Sequence, residues 1–281
     1  MARVKIVTDS TADLPAELAR QHGITVVPLE VHFGDETYRD GVDISNDQFY
    51  RRLTTSPVMP TTSQPSVGAF EEVFRRLSAE ADAILCVHIS TALSGTVNSA
   101  TLAREAFKYR CPIEIIDSRL VSLGLGILAI ECATAAESGA SLREISNLAK
   151  RIIPNVHTLF AVETLEYLQK GGRIGRAQAF VGSLLSIKPV LKVEEGEIRP
   201  VEKVRTRAKA IDRLVEFIEL FPSVERLALL YATTEDDALG IQKRVEAMCP
   251  RERTIIGQVG AVVGTHAGPG VLGAVVYQGL E

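Results

Sequence analysis

Long apolar runs are absent from this chain of 281 residues. The longest, at 120–130, ends at Glu131, whereas a helix that crosses a bilayer needs about 18 or more consecutive apolar residues. The chain also lacks the apolar core of a signal peptide, because it passes within a few residues into a strand-like segment at 4–7. These absences favour a cytoplasmic protein.

An excess of basic residues is also missing. The formal net charge is −4, with 31 Lys and Arg against 35 Asp and Glu. Binding to nucleic acid requires a concentrated basic surface that neutralises phosphates, so the charge argues against nucleic acid as a main partner. With 46% hydrophobic and 23% charged residues, the composition is that of a globular protein and excludes wholesale disorder.

The four cysteines lack the close spacing that is typical of metal sites. Cys86 and Cys132 lie inside apolar segments, where a reduced and buried thiol is expected. The sequence therefore predicts no metal site built on cysteine. It also shows neither an internal repeat nor a low-complexity linker.

The first half of the chain alternates short apolar runs with helical patterns. Runs at 4–7, 83–89 and 113–116 are apolar enough to be strands buried on both faces. The segments between them carry apolar residues at the three- and four-residue spacing of amphipathic helices. This alternation predicts a parallel, Rossmann-like α/β sheet domain over 1–155, with a small β-hairpin insertion near 30–45.

The second half follows a different pattern. A hairpin is expected with arms at 188–194 and 198–204, and helices are expected near 210–217 and 238–248. Hairpins combined with helices predict an α+β domain over 156–281, with a mainly antiparallel sheet covered on one face.

Polar motifs follow three strands of the first half. They are TDSTADLP at 8–15, STALSGT at 90–96, and Asp-Ser at 117–118. Open α/β sheets bind their ligands at this carboxyl edge. Hydroxyls that lie there beside unpaired helix N-terminal amides form a ready anion site.

Ser, Thr and Asp are also the preferred N-caps of helices, which gives these motifs a second interpretation. Simple capping is the favoured reading for Thr11, Asp13 and Ser118. Ser94 is a stronger candidate for ligand binding, because Gly95 lets the backbone approach a ligand closely.

Two further motifs carry polar residues. In PTTSQPS at 60–66, Ser66 is expected to cap a helix at 67–77, which leaves the other polar residues on a loop stiffened by prolines. In GTHAGPG at 264–270, His266 is predicted to lie in a glycine-rich turn between two strands. A site rich in hydroxyls, without an obligatory Lys or Arg, suits one negative charge better than a phosphate.

Together with IVTDS at 6–10 and KGGRI at 170–174, these motifs make the chain similar to the DegV family of bacterial fatty-acid-binding proteins. These proteins are the lipid-carrier subunits of the bacterial fatty acid kinase system. The resemblance runs end to end and implies two lobes with a long-chain fatty acid between them. It also implies a carrier that needs no cofactor and turns over no substrate alone.

By this resemblance, Thr62 and Ser94 hold the fatty acid carboxylate, and His266 belongs to the same hydrogen-bond network. Neighbouring motif residues complete the predicted fatty-acid-binding set: Thr61, Gly95 and Thr265. Candidates for the lining of the tail channel, whose spacing a packed helix explains equally well, are Phe180, Leu184, Leu185 and Ile187.

The resemblance further implies a partner, a separate ATP-dependent kinase subunit that converts the bound carboxylate to an acyl phosphate. A basic run lies at 203–209, and family likeness favours Arg205 within it as the kinase contact. A solvated helix start explains the run equally well. Arg173 and Arg176 are expected to brace the turn at 171–172. The carrier role also allows transient contact with a membrane surface.

Two other functions remain open. Ser94 and His266, oriented by Asp9 or Asp117, would form the relay of a serine hydrolase. The motif around Ser94 lacks the first and last glycines of the nucleophile elbow, which weakens this reading. The hydroxyl-rich loops would alternatively hold phosphate in a phosphosugar-binding module.

Overall fold

The computed structural model of the protein describes residues 3–106, 108, 110–182 and 187–280. Within these ranges, no helix combines the length and apolar character that a membrane span requires. The chain forms two sheet-based lobes that share a hydrophobic core, since one cluster of buried side chains runs from Val4 through Leu125 to Leu230.

The N-terminal lobe is built on a four-stranded parallel sheet in the order β2-β1-β6-β7. Its strands are β1 (Val4–Asp9), β2 (Thr25–Val27), β6 (Ala83–His88) and β7 (Ile113–Asp117). Its helices are α1 (Ala16–Gln21), α3 (Val67–Ser78), α4 (Thr96–Ala106), α5 (Leu123–Glu137) and α6 (Leu142–Ile152). This confirms the predicted parallel α/β sheet.

The insertion in this lobe is a separate small sheet. The antiparallel strands β3 (Glu30–Phe33) and β4 (Glu36–Arg39) form the predicted hairpin and are followed by α2 (Asn46–Thr55). A third strand, β5 (Thr61–Ser63), pairs with β3. The prediction of a loop over 60–66 is therefore wrong for its central residues, because their backbone pairs with the edge of the hairpin.

The C-terminal lobe contains a six-stranded sheet in the order β10-β9-β8-β13-β11-β12. Only β11 and β12 pair in parallel, which confirms a mainly antiparallel sheet. The strands are β8 (Val156–Ala161), β9 (Lys188–Glu194), β10 (Glu197–Val204), β11 (Arg226–Tyr231), β12 (Thr254–Gln258) and β13 (Leu272–Tyr277). The helices are α7 (Glu166–Lys170), α8 (Arg207–Glu219), α9 (Glu235–Val245) and α10 (Ala261–Ala267).

Helix α5 lies between the two sheets. It packs on β1 and β6 of the parallel sheet and on β8, β11 and β13 of the mixed sheet. This position explains the apolar run at 120–130, because a helix enclosed on all sides needs no polar face. The mixed sheet is therefore covered by α8 and α9 on one face and by α5 on the other, so the expectation of a single covered face is wrong.

Several local predictions are confirmed. The Ser66 hydroxyl accepts a hydrogen bond from Ala69 N at 3.1 Å and caps α3. All four cysteines are buried and free. The capping prediction for Asp13 has a different outcome. Its carboxylate accepts a hydrogen bond from Gly260 N, in the other half of the chain, and not from the helix that follows it.

The GTHAGPG motif begins in a helix and not in a turn. α10 carries Gly264 and His266, so the predicted turn is wrong at these positions. Gly264 lies against α2, where an added Cβ would approach the Tyr50 hydroxyl to 2.6 Å. The glycine therefore allows close helix packing and does not mark a reversal of the chain.

Candidate functional site

A largely apolar cavity lies between the lobes, with lining residues from both of them. Its apolar lining comes from both lobes: Leu29, Ile89, Leu93, Val121, Phe160, Leu168, Val193, Ile198, Leu230, Val259, Val262, Val263, Ala267 and Val271. Its polar lining consists of Thr11, Thr62, Ser63, Gln64, Ser94, Ser122, Thr158, Arg173 and His266. The chemistry of this lining suits a molecule with a large apolar part.

Thr62 and His266 meet at this cavity. The Thr62 hydroxyl and His266 Nε2 lie 2.8 Å apart, although 204 residues separate them in sequence. β5 directs Thr62 toward α10, which carries His266 near its C-terminal end. The structure thus brings together two of the three residues that were predicted to form the hydrogen-bond network of the head group.

The His266 imidazole is neutral at physiological pH. Burial and the nearby Arg173 guanidinium lower its pKa to about 4. His266 Nδ1 is buried and has no hydrogen-bond partner in the part of the chain that the structure describes. A Cβ on Gly171 would lie 2.1 Å from this nitrogen, so the glycine makes room for the ring.

Ser94 lies on the loop that leads into α4. Its hydroxyl is 2.9 Å from the Thr96 hydroxyl, and its side chain lines the cavity. The side-chain amide of Gln64 packs directly against the adjacent Gly95. A Cβ on this glycine would lie 2.6 Å from Gln64 Nε2. This contact joins the PTTSQPS and STALSGT motifs at one end of the cavity's polar lining.

Arg173 joins the same group of residues. Its Nε donates to Leu93 O at 3.1 Å and its Nη1 donates to Gly171 O at 2.8 Å. This confirms the predicted brace, but sequence reasoning missed that Arg173 also lines the cavity. Among the described lining residues it carries the only cationic side chain. Its place in the KGGRI motif was the available signal.

Arg176 does not brace the same turn. Its guanidinium pairs with Glu197 of β10, with 3.2 Å between Nε and the carboxylate. The prediction for this residue is wrong, because its side chain pairs with the hairpin strand β10.

The other predicted binding residues lie beside the cavity and outside its lining. Thr61 is exposed, on the face of β5 opposite to Thr62, as the two-residue period of a strand requires. Thr265 is buried and donates to Ala261 O at 2.8 Å within α10. The backbone of Gly95 contacts the side chain of Gln64. These residues shape the site without facing its interior.

The two tail-channel candidates that the structure describes do not belong to the observed lining. Phe180 and Ile187 are outside it, while Leu184 and Leu185 lie outside the described residues. The aliphatic lining comes instead from strands and helices of both lobes. These residues belong to ordinary buried segments, so the sequence contains no local signal that separates them from the core.

The structure does not assemble a serine hydrolase relay. His266 Nε2 is engaged with Thr62, and the hydroxyl of Ser94 is engaged with Thr96. Neither candidate acid contacts the imidazole. The carboxylate of Asp9 pairs with His88 Nδ1 at 2.9 Å, and that of Asp117 accepts from Arg119 N at 2.9 Å.

The basic run after the second hairpin divides into paired and unpaired residues. Arg207 pairs with Asp237 at 2.9 Å, and Lys209 lies 3.4 Å from Asp212. Arg205 is exposed and forms no ion pair with any described residue. Its side chain is therefore accessible to a partner, and it remains the predicted kinase contact.

Comparison with known proteins supports the resemblance seen in the motifs. A family model described as "Uncharacterised protein, DegV family" matches residues 3–279. A DegV domain-containing protein of Streptomyces coelicolor is 40% identical over 279 residues, which cover 97% of this chain and 98% of that protein. Protein DegV of Bacillus subtilis is 36% identical, with 96% of this chain and 97% of that protein covered.

Solved structures share the whole fold. A fatty-acid-binding DegV family protein from Thermus thermophilus has a TM-score of 0.91 and 37% identity, with 98% of this chain and 99% of that chain covered. DegV of Bacillus subtilis, described as a fatty acid binding protein, has a TM-score of 0.88 and 35% identity, with 99% and 100% covered. With a family match over nearly its full length and relatives of this similarity, the chain belongs to the DegV family.

Proposed function

We propose that this protein binds a long-chain fatty acid, with the tail in the cavity and the carboxylate at Thr62 and Ser94. The observation that carries this proposal is that one cavity has both an aliphatic lining and a cluster of polar side chains around His266. Relatives of the same fold are described as fatty-acid-binding proteins. A stearic acid-binding protein from Eubacterium ventriosum has a TM-score of 0.88 and 29% identity.

The charges at the polar end favour a single carboxylate. Arg173 supplies one positive charge, and the described lining contains no acidic side chain. When the neutral His266 donates its one ring N–H from Nε2 to Thr62, the Thr62 hydroxyl is free to donate to the carboxylate, and Ser94 supplies a second hydroxyl donor. A phosphate with two negative charges would find only this one cation. The same arrangement therefore disfavours a phosphosugar-binding module.

The tail provides most of the affinity. Each buried methylene contributes about 0.8 kcal/mol, so about 14 methylenes contribute roughly 11 kcal/mol before the cost of association. A hydrogen bond to the charged carboxylate adds about 1.5–3 kcal/mol. The polar residues therefore set the position of the head group more than the total affinity.

The carrier presents the bound carboxylate to a separate ATP-dependent kinase subunit, which forms the acyl phosphate. Among the described lining residues, the Ser94 hydroxyl is engaged with Thr96 and His266 Nε2 with Thr62, so Ser94 is not paired with the base that the hydrolase alternative requires. The exposed Arg205 is the proposed contact with the kinase.

Titration with fatty acids of increasing length, from decanoate to palmitate, tests the binding. Affinity is expected to rise about four-fold per methylene until the cavity is filled, because about 0.8 kcal/mol is gained each time. Glucose 6-phosphate is expected to leave the binding unchanged. Affinity that is independent of chain length, or competition by the sugar phosphate, would refute the proposal.

Ser94→Ala and Thr62→Ala test the head-group assignment. Both variants are expected to abolish acyl phosphate formation with the kinase while weakening oleate binding less, because the tail dominates affinity. Thr61→Ala is the matched control, since this neighbouring hydroxyl is exposed on the other face of β5. Full acyl phosphate formation by both variants would overturn the assignment.

A further inference from the structure

Helix α10 begins at two carboxylates supplied by the N-terminal lobe. Its N-cap is Gly260, which has no side chain to cap the helix. Gly260 N donates to Asp13 Oδ1 at 2.9 Å, and Ala261 N donates to Asp40 Oδ1 at 3.0 Å. Carboxylates at this end of a helix satisfy unpaired amides and complement the helix dipole.

Both carboxylates are buried at a considerable cost. Asp13 is 8% exposed and Asp40 is 4% exposed. The charge of Asp40 raises the pKa of the Asp13 carboxyl, and the charge of Asp9 raises the pKa of both. Burial raises the pKa of Asp40 to about 6 and that of Asp13 well above its usual range. Asp40 Oδ2 has no hydrogen-bond partner among the described residues. Stability alone does not account for such a pair, because apolar residues fill a buried site without this cost.

The contact is close enough to fix the helix. A Cβ on Gly260 would lie 2.8 Å from Asp13 Oδ1 and 3.4 Å from both Asp40 oxygens. Tyr50 donates to Val259 O at 3.0 Å, just before the helix, and its ring abuts Gly264 in the middle. Residues of the N-terminal lobe therefore contact α10 at its first residues and along one side.

His266 lies at the far end of this short helix. Five residues separate it from Ala261, which places it about 7.5 Å along the axis. Because a helix of two turns is stiff, a shift at its first amide moves the imidazole by a similar amount. The hydrogen bond between His266 Nε2 and the Thr62 hydroxyl, at 2.8 Å, depends on that position.

We propose that Asp13 and Asp40 are positioning residues for His266. Their carboxylates set where α10 begins and thereby hold the imidazole against Thr62 and the ligand head group. The part of this inference that concerns the ligand rests on the proposed function, whereas the part that concerns the unliganded imidazole does not.

The unliganded protein provides the first test, by NMR of the His266 ring nitrogens. Asp40→Asn and Asp13→Asn are expected to shift these signals in the same sense as Thr62→Val, which removes the hydrogen bond directly. Asp43→Asn is the matched control, because this exposed acid lies three residues from Asp40 and, among the described residues, pairs with Arg39 alone. Unchanged His266 signals in both variants would overturn the proposal.

A double-mutant cycle with oleate provides the second test. Asp40→Asn is expected to weaken oleate binding about five-fold, the effect of losing a charge at a helix N-terminus, and less than about two-fold in a His266→Gln background. A merely structural role would give equal losses in both backgrounds, and that result would overturn the proposal. If the wild-type protein fails to bind oleate, the proposed function fails while the NMR result still decides the positioning role.

Discussion

Replacement of Arg173 by Gln removes the one cation found in the described lining of the cavity. The guanidinium is held by Leu93 O and Gly171 O, one from each lobe, so it is fixed before a ligand arrives. Glutamine keeps a planar amide donor but loses the charge. The change therefore isolates the electrostatic part of head-group binding.

The expected loss follows from the contacts. A hydrogen bond to a charged group contributes about 1.5–3 kcal/mol, and about 1.4 kcal/mol corresponds to a ten-fold change in Kd. Arg173→Gln is therefore expected to weaken oleate binding about ten- to hundred-fold. Binding of oleyl alcohol, which has the same tail and no charge, is expected to stay within about two-fold, because tail burial is unchanged.

The assay is a calorimetric titration of both ligands against the wild-type protein, Arg173→Gln and Arg176→Gln. Arg176 is the matched control, because it lies three residues away and pairs with Glu197. The pKa of His266, about 4 in the wild-type protein, is expected to rise in Arg173→Gln since the guanidinium lowers it. Equal losses for oleate and oleyl alcohol would refute the reasoning.

Three further predictions concern other parts of the structure. Gly95→Ala is expected to weaken oleate binding, because its Cβ would lie 2.6 Å from the Gln64 amide nitrogen. Calorimetry should show that oleate affinity recovers when Gln64→Ala is added, and no recovery would contradict the contact. Arg205→Ala is expected to reduce acyl phosphate formation with the kinase at unchanged oleate affinity, while Arg213→Ala, whose side chain is already ion-paired, leaves both unchanged. The carboxyl of Asp40 has a pKa raised from 3.8 to about 6, so between these pH values the folded state binds more protons than the unfolded state. The free energy of unfolding is therefore expected to fall by up to about 3 kcal/mol as the pH rises through this range. Urea unfolding across this range should show a smaller fall in Asp40→Asn, and identical slopes would count against a buried, titrating Asp40.

β1, β6 and β7 of the parallel sheet were predictable because each is a short segment rich in apolar residues. Runs at 83–89 and 113–116 correspond closely to β6 and β7, and the hairpin arms at 188–194 and 198–204 match β9 and β10. In these segments the local sequence pattern agrees with the conformation that the structure shows, so the pattern alone identifies the element.

β5 and α10 were not predictable in the same way. β5 has three residues, Thr61–Ser63, and owes its conformation to pairing with β3, from a segment about 30 residues earlier in the chain. α10 contains Gly264 and is followed by Gly268, a composition that favours a turn. Tertiary contacts with Asp13, Asp40 and Tyr50 override this preference, and no local pattern reports contacts so distant in sequence.

The candidate site was predictable only in part. The motif resemblance identified Thr62, Ser94 and His266, all of which line the cavity. It also included Thr61 and Thr265, because a motif does not state which side chains face inward. Arg173 was assigned a bracing role alone, since its second role depends on the meeting of two lobes.

Native mass spectrometry of the protein, purified gently from cells, tests the central claim most directly. The account predicts a population whose excess mass equals one long-chain fatty acid, and this mass should be released by denaturation and identified in the extract. A spectrum that contains only the mass of the unliganded chain would contradict it.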